Sequence, residues 1–118
     1  MNDSGNRREF STGSVRDVIE GKPRPELISP IAEERLAYHC AQGAAKYSDR
    51  NWERGQPLSQ LLGSLRRHLL SYQLGREDED HLAALLWNAM ALLHTDEMLR
   101  RGVLPDELND LPDYGEPR

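Results

Sequence analysis

The sequence predicts an all-α fold, a three-helix bundle with an extended N-terminal arm and an acidic C-terminal tail. Three segments carry apolar residues at steps of three and four, which is the period of an amphipathic helix. No segment alternates apolar and polar residues as a strand would, and glycine and proline separate the three segments. We therefore expect an arm over residues 1–28, a helical domain over 29–102 and a tail over 103–118.

The first helix is predicted to begin at Ser29 and to end near residue 48. Serine caps the free N–H groups of a helix start, and the proline that follows it is tolerated in the first turn. One face of this helix is apolar and contains Ala32, Leu36, Cys40, Ala44 and Tyr47. The glycine and proline of residues 55–57 then predict a break.

Two further helices complete the bundle. A leucine stripe that ends in Tyr72 predicts the second, which Gly75 should terminate. The third runs from about His81 to Arg101 and stops at Gly102. Its apolar residues cover most of its circumference: Leu82, Leu85, Leu86, Trp87, Ala89, Met90, Leu92 and Leu93. Two partner helices cannot cover that surface, so we expect a homo-oligomer.

Composition restricts the partners and the compartment. A net charge of −5 argues against a general nucleic-acid binder, which needs a basic face. The single cysteine, Cys40, excludes an internal disulfide and fits a reducing compartment. The longest apolar run, from Leu82 to Leu93, is too short to span a bilayer, and the polar N-terminus is unlike a signal peptide. We expect a cytoplasmic protein without a membrane partner.

Cations follow the end of the first helix. Lys46 and Arg50 would stabilise a helix C-terminus by themselves. They also suit a phosphate, because arginine offers paired donors and lysine a point charge. The indole of Trp52 could stack on a base or simply cap the core. Asn88, within the apolar third helix, must be hydrogen-bonded, either to a neighbouring helix, to a ligand or to a metal-bound water.

Carboxylates and histidines offer a candidate metal site. The acidic run from Glu77 to Asp80 leads into His81, although acidic residues also stabilise a helix start without any metal. His68 lies on the second helix, and Glu34 can project between helices from the first. Such a mixed set suits Mn²⁺ better than Mg²⁺. No nucleophile motif, glycine-rich phosphate loop or zinc spacing is present, which leaves metal-assisted attack by water.

Several short motifs, in order, resemble the phage-type dATP/dGTP diphosphohydrolase N-terminal domain family. They are GSVRD (residues 13–17), GKPR (21–24), LISP (27–30), GAAKY (43–47), NW (51–52), RH (67–68), DHLA (80–83) and WN (87–88). The resemblance implies an all-α domain related to MazG-like pyrophosphohydrolases, which use a divalent metal. In a phage this activity would remodel the nucleotide pool in the host cytoplasm. Arg16, Lys22 and Arg24 fall on motif positions in the arm.

The acidic ligands of MazG-like enzymes, spaced Glu-x-x-Glu and Glu-x-x-Asp, are not reproduced. Glu34 is followed three residues later by Ala37, and His81 by Ala84. Either a different group holds the metal, or the domain binds nucleotide without cleaving it. In the first case the predicted metal ligands are Glu34, His68, Asp80 and His81. The predicted catalytic residues are Glu34, His68 and Asp80.

The predicted function is hydrolysis of (deoxy)nucleoside triphosphates, purines favoured, to monophosphate and pyrophosphate with Mg²⁺ or Mn²⁺. The predicted nucleotide- and phosphate-binding residues are Arg16, Lys22, Arg24, Lys46, Tyr47, Arg50, Asn51, Trp52 and Asn88. One alternative is a non-catalytic helical protein that binds or sequesters nucleotides. Another is an assembly module whose third helix serves oligomerisation.

Overall fold

The computed structural model describes residues 3–117 and confirms the mostly helical, three-helix class. Helix α1 spans Pro30–Lys46, α2 spans Leu58–Gln73 and α3 spans His81–Arg100. Helix α3 lies between the other two and packs more extensively on α2 than on α1. None of the described helices is long and apolar enough to cross a bilayer.

Local signals set the helix boundaries. The Ser29 hydroxyl accepts a hydrogen bond from the Ala32 N–H at 3.2 Å, so the predicted cap of α1 is present. Asp80 caps α3 in the same way through the Ala83 N–H at 3.0 Å. Gly75 follows the end of α2 with a φ of 77°, in the left-handed region where glycine is favoured. Helix α1 ends at residue 46, slightly before the predicted end near residue 48.

The buried face of α3 consists of small and polar side chains. It contains Ala83, Ala84, Ala91, His81, Asn88 and Thr95. Small side chains allow the α2 backbone to approach closely, and Leu58 and Leu61 of α2 are buried. The apolar residues around α3 therefore differ in exposure, with Ala83, Ala84 and Ala91 buried and several of the large ones exposed. Leu82, Leu86 and Leu93 form a stripe on the outer side, and Leu93 is 74% exposed.

The chain covers little of its own apolar surface. No residue of α1 is buried, and Ile31 and Tyr38 on that helix are exposed. The radius of gyration is 19.0 Å, whereas a compact chain of this length would have about 13.5 Å.

The N-terminal arm contains two strands, which corrects the prediction that no strand occurs. Strands β1 (Arg7–Glu9) and β2 (Val15–Asp17) pair antiparallel. The Gly13 N–H donates to the Phe10 carbonyl at 2.9 Å and closes the turn between them. Each strand has three residues, fewer than the four to eight over which alternation can be recognised.

Asp17 organises this arm. Its carboxylate accepts hydrogen bonds from the hydroxyl and the N–H of Ser4, and these bonds lower its pKa to about 2. Because this folded-state pKa lies below the ordinary value of 3.8, the carboxylate stabilises the arm above about pH 4. This stabilisation is lost as the pH falls through about 2.

The first half of the C-terminal tail packs on the helical domain. Leu104 and Leu108 contact Gly55, where an added Cβ would lie 2.7 Å from Leu108 Cδ1. Asp110 accepts hydrogen bonds from the Ser59 N–H at 2.9 Å and from its hydroxyl, which lowers the Asp110 pKa. Asp110 thereby caps the first turn of α2, where the N-cap position is Pro57 and supplies no side-chain acceptor.

We expect Asp110→Ala to lower the melting temperature by about 2 to 5 °C, because the first turn of α2 loses its cap. Asp113→Ala is the matched control, since the hydrogen bond that Asp113 accepts within residues 3–117 is a local one from the Gly115 N–H. Circular dichroism melts of both variants check this. Equal melting temperatures for the two variants would contradict the capping role.

Candidate functional site

A cleft of about 760 Å³ lies between the C-terminal half of α1, the 3-10 helix Asn51–Arg54 and α3. Its walls are aromatic. The Trp52 ring lies 5.8 Å from the Trp87 ring and 4.8 Å from the His94 ring, edge-on in both cases. The His39 ring lies 5.6 Å from Trp87 on the α1 side. A cleft with these walls suits a planar heteroaromatic ligand.

Polar residues form the rim of this cleft, and among them are Tyr47, Asp49, Arg50, Asn51 and Glu53. Among the described residues, Arg50 is the single non-glycine residue with a positive φ, 56°. Its Nη1 lies 2.9 Å from Glu53 Oε1, but the Arg50 side chain is 77% exposed. An exposed ion pair contributes little stability, so Arg50 can exchange Glu53 for another anion at small cost.

Lys46 and Asn88 do not line the cleft. The Lys46 ammonium lies 5.3 Å from the Tyr47 ring centroid at the end of α1. Asn88 is 3% exposed, and its Nδ2 donates to the Ala84 carbonyl at 2.8 Å within α3. The Asn88 amide is thus bonded within its own helix, which is one way to satisfy a buried amide.

A second group of side chains forms where the middle of α2 meets the start of α3. His68 Nδ1 lies 2.9 Å from His81 Nδ1, and Glu79 Oε1 lies 3.5 Å and 4.0 Å from these two atoms. We call His68, Glu79 and His81 the histidine cluster. Its three ligand atoms all lie within 4.8 Å of one another, and His81 is 6% exposed.

The donor set of the histidine cluster fits a divalent transition metal. Ligand atoms about 2.1 Å from one ion lie about 3 to 3.5 Å apart, close to the spacings observed. Two imidazoles and one carboxylate are also the donor types that such ions accept.

Asp78 orients the His81 ring from behind the cluster. His81 Nε2 lies 2.7 Å from Asp78 Oδ1, and this hydrogen bond is the main cause that lowers the Asp78 pKa. With Nε2 engaged by Asp78, the Nδ1 atom of His81 faces His68. Metal-binding histidines commonly donate their outer N–H to a carboxylate in this way.

Glu34 and Asp80 do not join the histidine cluster. Arg35 donates to the Asp80 carboxylate through Nε at 2.9 Å and Nη2 at 2.5 Å, which lowers the Asp80 pKa and ties α1 to α3. Glu34 is exposed on α1, and its side chain forms no hydrogen bond or ion pair within residues 3–117. Of the four predicted metal ligands, His68 and His81 are the two that the structure brings together. The Asp80 carboxylate is bonded to Arg35, and the carboxylate of the cluster comes from Glu79 instead.

The arm residues lie apart from both groups. Lys22 Nζ is 3.6 Å from Asp17, and Arg24 Nε is 3.2 Å from Glu26. Arg16 is exposed on β2. No hydrogen bond or ion pair of the described chain joins residues 3–28 to the helices. The structure therefore does not bring the arm cations to the cleft.

His39 is a further residue of the cleft that the sequence did not single out. Its ring lines the cleft. Burial is the main cause that lowers its pKa, the nearby imidazole of His68 contributes in the same direction, and Glu79 and Asp80 oppose the shift. The ring is therefore uncharged at neutral pH and within electrostatic reach of the cluster. A single histidine in an amphipathic helix belongs to no motif, so only the fold reveals it.

Comparison with known proteins identifies the family of the chain. No curated protein and no solved structure matches the chain significantly. One family model, described as dATP/dGTP diphosphohydrolase, N-terminal, matches residues 12–102. This range is most of the chain and includes all three helices, the aromatic cleft and the histidine cluster. The chain belongs to the dATP/dGTP diphosphohydrolase N-terminal family, whose name indicates nucleotide hydrolysis as the activity of the family.

Proposed function

We propose that the protein hydrolyses purine deoxynucleoside triphosphates to the monophosphate and pyrophosphate, with a divalent metal as cofactor. The observation that carries this proposal is the histidine cluster with Asp78 behind His81, in a chain of this family. The proposed setting is the cytoplasm, and for a phage-encoded protein the nucleotide pool of the host.

The aromatic cleft is the proposed base site. Its volume of about 760 Å³ lies within the range of about 300 to 1,000 Å³ that small-molecule sites occupy. Trp52 and Trp87 offer ring faces and edges to a purine, while Asn51 and Asp49 on the rim offer hydrogen-bonding groups.

The proposed phosphate contacts are Arg50 and Lys46. Arg50 lines the cleft, and within residues 3–117 its side chain is paired only with the partly exposed Glu53. Its guanidinium fork matches phosphate oxygens. Lys46 precedes it at the end of α1, and its flexible side chain can supply a second positive charge.

His68, Glu79 and His81 are the residues that would hold the metal. When bound, a divalent ion neutralises phosphate charge and lowers the pKa of a bound water. Asp78 fixes the His81 ring so that Nδ1 faces the cluster. Two imidazoles favour Mn²⁺ over Mg²⁺. The neutral ring of His39, which lines the cleft, can accept a proton there.

A non-catalytic nucleotide-binding protein is the second candidate function. It is favoured by the single carboxylate of the cluster, since Asp80 is paired with Arg35 and Glu34 lies apart. Hard cations such as Mg²⁺ are normally held by more oxygen ligands than this.

We also propose a homo-oligomer. The outer stripe of Leu82, Leu86 and Leu93 and the exposed side chains of α1 are apolar surfaces that a second copy would cover. The radius of gyration, large for this chain length, is consistent with a protomer that completes its core on assembly.

Metal binding provides the first test. We expect Glu79→Gln to weaken Mn²⁺ binding at least about tenfold and to abolish pyrophosphate release, because the cluster loses its carboxylate. Titration calorimetry with Mn²⁺ and a pyrophosphate assay with dATP and dGTP measure both effects. Glu34→Gln is the comparison: loss of Mn²⁺ binding in that variant, with binding retained in Glu79→Gln, would refute the histidine cluster.

The wild type decides between the two candidate functions. Pyrophosphate release from a purine triphosphate with Mn²⁺ or Mg²⁺ supports the enzyme. If no pyrophosphate is released while nucleotides still raise the melting temperature, the binding protein is the better account.

The phosphate contacts give a further prediction. We expect Lys46→Ala combined with Arg50→Ala to weaken triphosphate binding about tenfold or more, since charge-assisted hydrogen bonds contribute about 1.5 to 3 kcal/mol. Tryptophan fluorescence reports binding, because both tryptophans of the chain line the cleft. Unchanged triphosphate affinity in this variant would show that the two residues only stabilise the end of the helix. Arg100→Ala combined with Arg101→Ala, at the far end of α3 from the histidine cluster, controls for net charge.

Light scattering tests assembly. We expect a mass of at least twice the 13.5 kDa of one chain at micromolar concentration, and a monomer for Leu86→Glu combined with Leu93→Glu. The reason is that two charges would be buried in the leucine stripe. A wild-type mass near that of one chain would contradict the proposed oligomer.

A further inference from the structure

The N-terminal hairpin has two faces of different charge. Because side chains alternate along a strand, Arg7 and Asp17 lie on one face, and Arg8 and Arg16 lie on the other. On the first face, Arg7 Nη1 is 2.8 Å from Asp3 Oδ1 and 3.5 Å from Asp17 Oδ1. That face is neutralised by its own carboxylates.

The second face carries two arginines and no acidic partner. Arg8 and Arg16 are direct cross-strand neighbours, and the Cβ atoms of such a pair lie about 4.5 to 5.5 Å apart. Within residues 3–117, neither guanidinium takes part in a hydrogen bond or ion pair. Like charges directly opposite each other destabilise a strand pair, and an isolated two-stranded hairpin is marginally stable in water.

Two groups near the Arg8 guanidinium interact with its positive charge, the Phe10 ring and the Glu26 carboxylate. The Arg8 guanidinium carbon lies 5.2 Å from the Phe10 ring centroid, a cation–π contact. The Glu26 carboxylate bonds Arg24 rather than Arg8. The pKa of Glu26 is lowered by its own backbone N–H, by Arg24 and, at longer range, by Arg8. The Glu26 carboxylate thus lies within electrostatic reach of both Arg24 and Arg8.

We propose that Arg8 and Arg16 form an anion site that binds a free oligophosphate, such as triphosphate or pyrophosphate, between two guanidinium forks. The fork matches phosphate oxygens with two parallel hydrogen bonds, and a bound anion would remove the repulsion between the two strands. A long polyanion fits less well, because the chain has a net charge of −5 and would repel the remaining phosphates. The site is separate from the aromatic cleft and does not rest on the proposed hydrolysis.

Inorganic tripolyphosphate is the probe, since it has no base to enter the cleft. Titrated into the full chain, it should shift the backbone amide NMR signals of β1 and β2. We expect Arg8→Gln combined with Arg16→Gln to weaken this binding at least about tenfold. Arg100→Gln combined with Arg101→Gln is the matched control. It removes the same charge from arginines already paired with acidic residues of α3, and binding should be unchanged.

Amide hydrogen exchange gives a second measurement, which reports the stability of the hairpin with and without the anion. Tripolyphosphate should slow exchange in the two strands of the wild type. The free Arg8→Gln, Arg16→Gln variant should already exchange more slowly than the free wild type, because it lacks the repulsion. The lysine pair, Arg8→Lys with Arg16→Lys, keeps the charge without the fork and should bind with intermediate affinity.

Equal tripolyphosphate binding by the wild type and the glutamine pair would overturn the site, and so would unshifted hairpin signals. A short oligodeoxynucleotide that binds the hairpin as tightly as tripolyphosphate would overturn the choice of a free oligophosphate. Nucleotide-dependent tryptophan fluorescence, measured in the same variants, reports the cleft alone. Failure of the arm site and failure of the proposed function are therefore distinguishable.

Discussion

The close packing of α3 against α2 and α1 through small side chains is the constraint on which the other features depend. The buried face of α3 contains Ala83, Ala84 and Ala91, although the helix is rich in leucine. Because the alanines face inward, the start of α3 comes near enough to α2 for His81 to meet His68. For the same reason Leu82, Leu86 and Leu93 face outward, and the outer surface of α3 is apolar.

One helix therefore serves both parts of the candidate site. Its first turn supplies His81 to the histidine cluster, and further along Trp87 forms a wall of the aromatic cleft. His39 on α1 lines the cleft and interacts electrostatically with the cluster, and the Arg35–Asp80 pair fixes α1 beside the start of α3. A nucleotide that spans the two groups would thus contact side chains held by a common backbone, which limits how far base and phosphate positions can vary independently.

Local patterns in the sequence predicted those features that depend on near neighbours. The caps of α1 and α3, the helix periods and the segment that carries Trp52 are set within a few residues. The choice between Asp80 and Glu79 was not predictable in this way. It depends on Arg35, which lies 45 residues before Asp80 and engages its carboxylate. The arm hairpin was not predicted because its strands are too short to show a recognisable alternation.

The packing of the tail beside Gly55 affects the order in which parts of the molecule can fold. Asp110 and Ser59 are separated by 51 residues, and Leu104 and Leu108 reach back to the same junction, next to the segment of Trp52. Contacts of such sequence separation require a large loop to close and form slowly compared with local helical turns. Helices α2 and α3 are neighbours in sequence and can pack before such contacts close, so the wall of the cleft that carries Trp52 gains this support late.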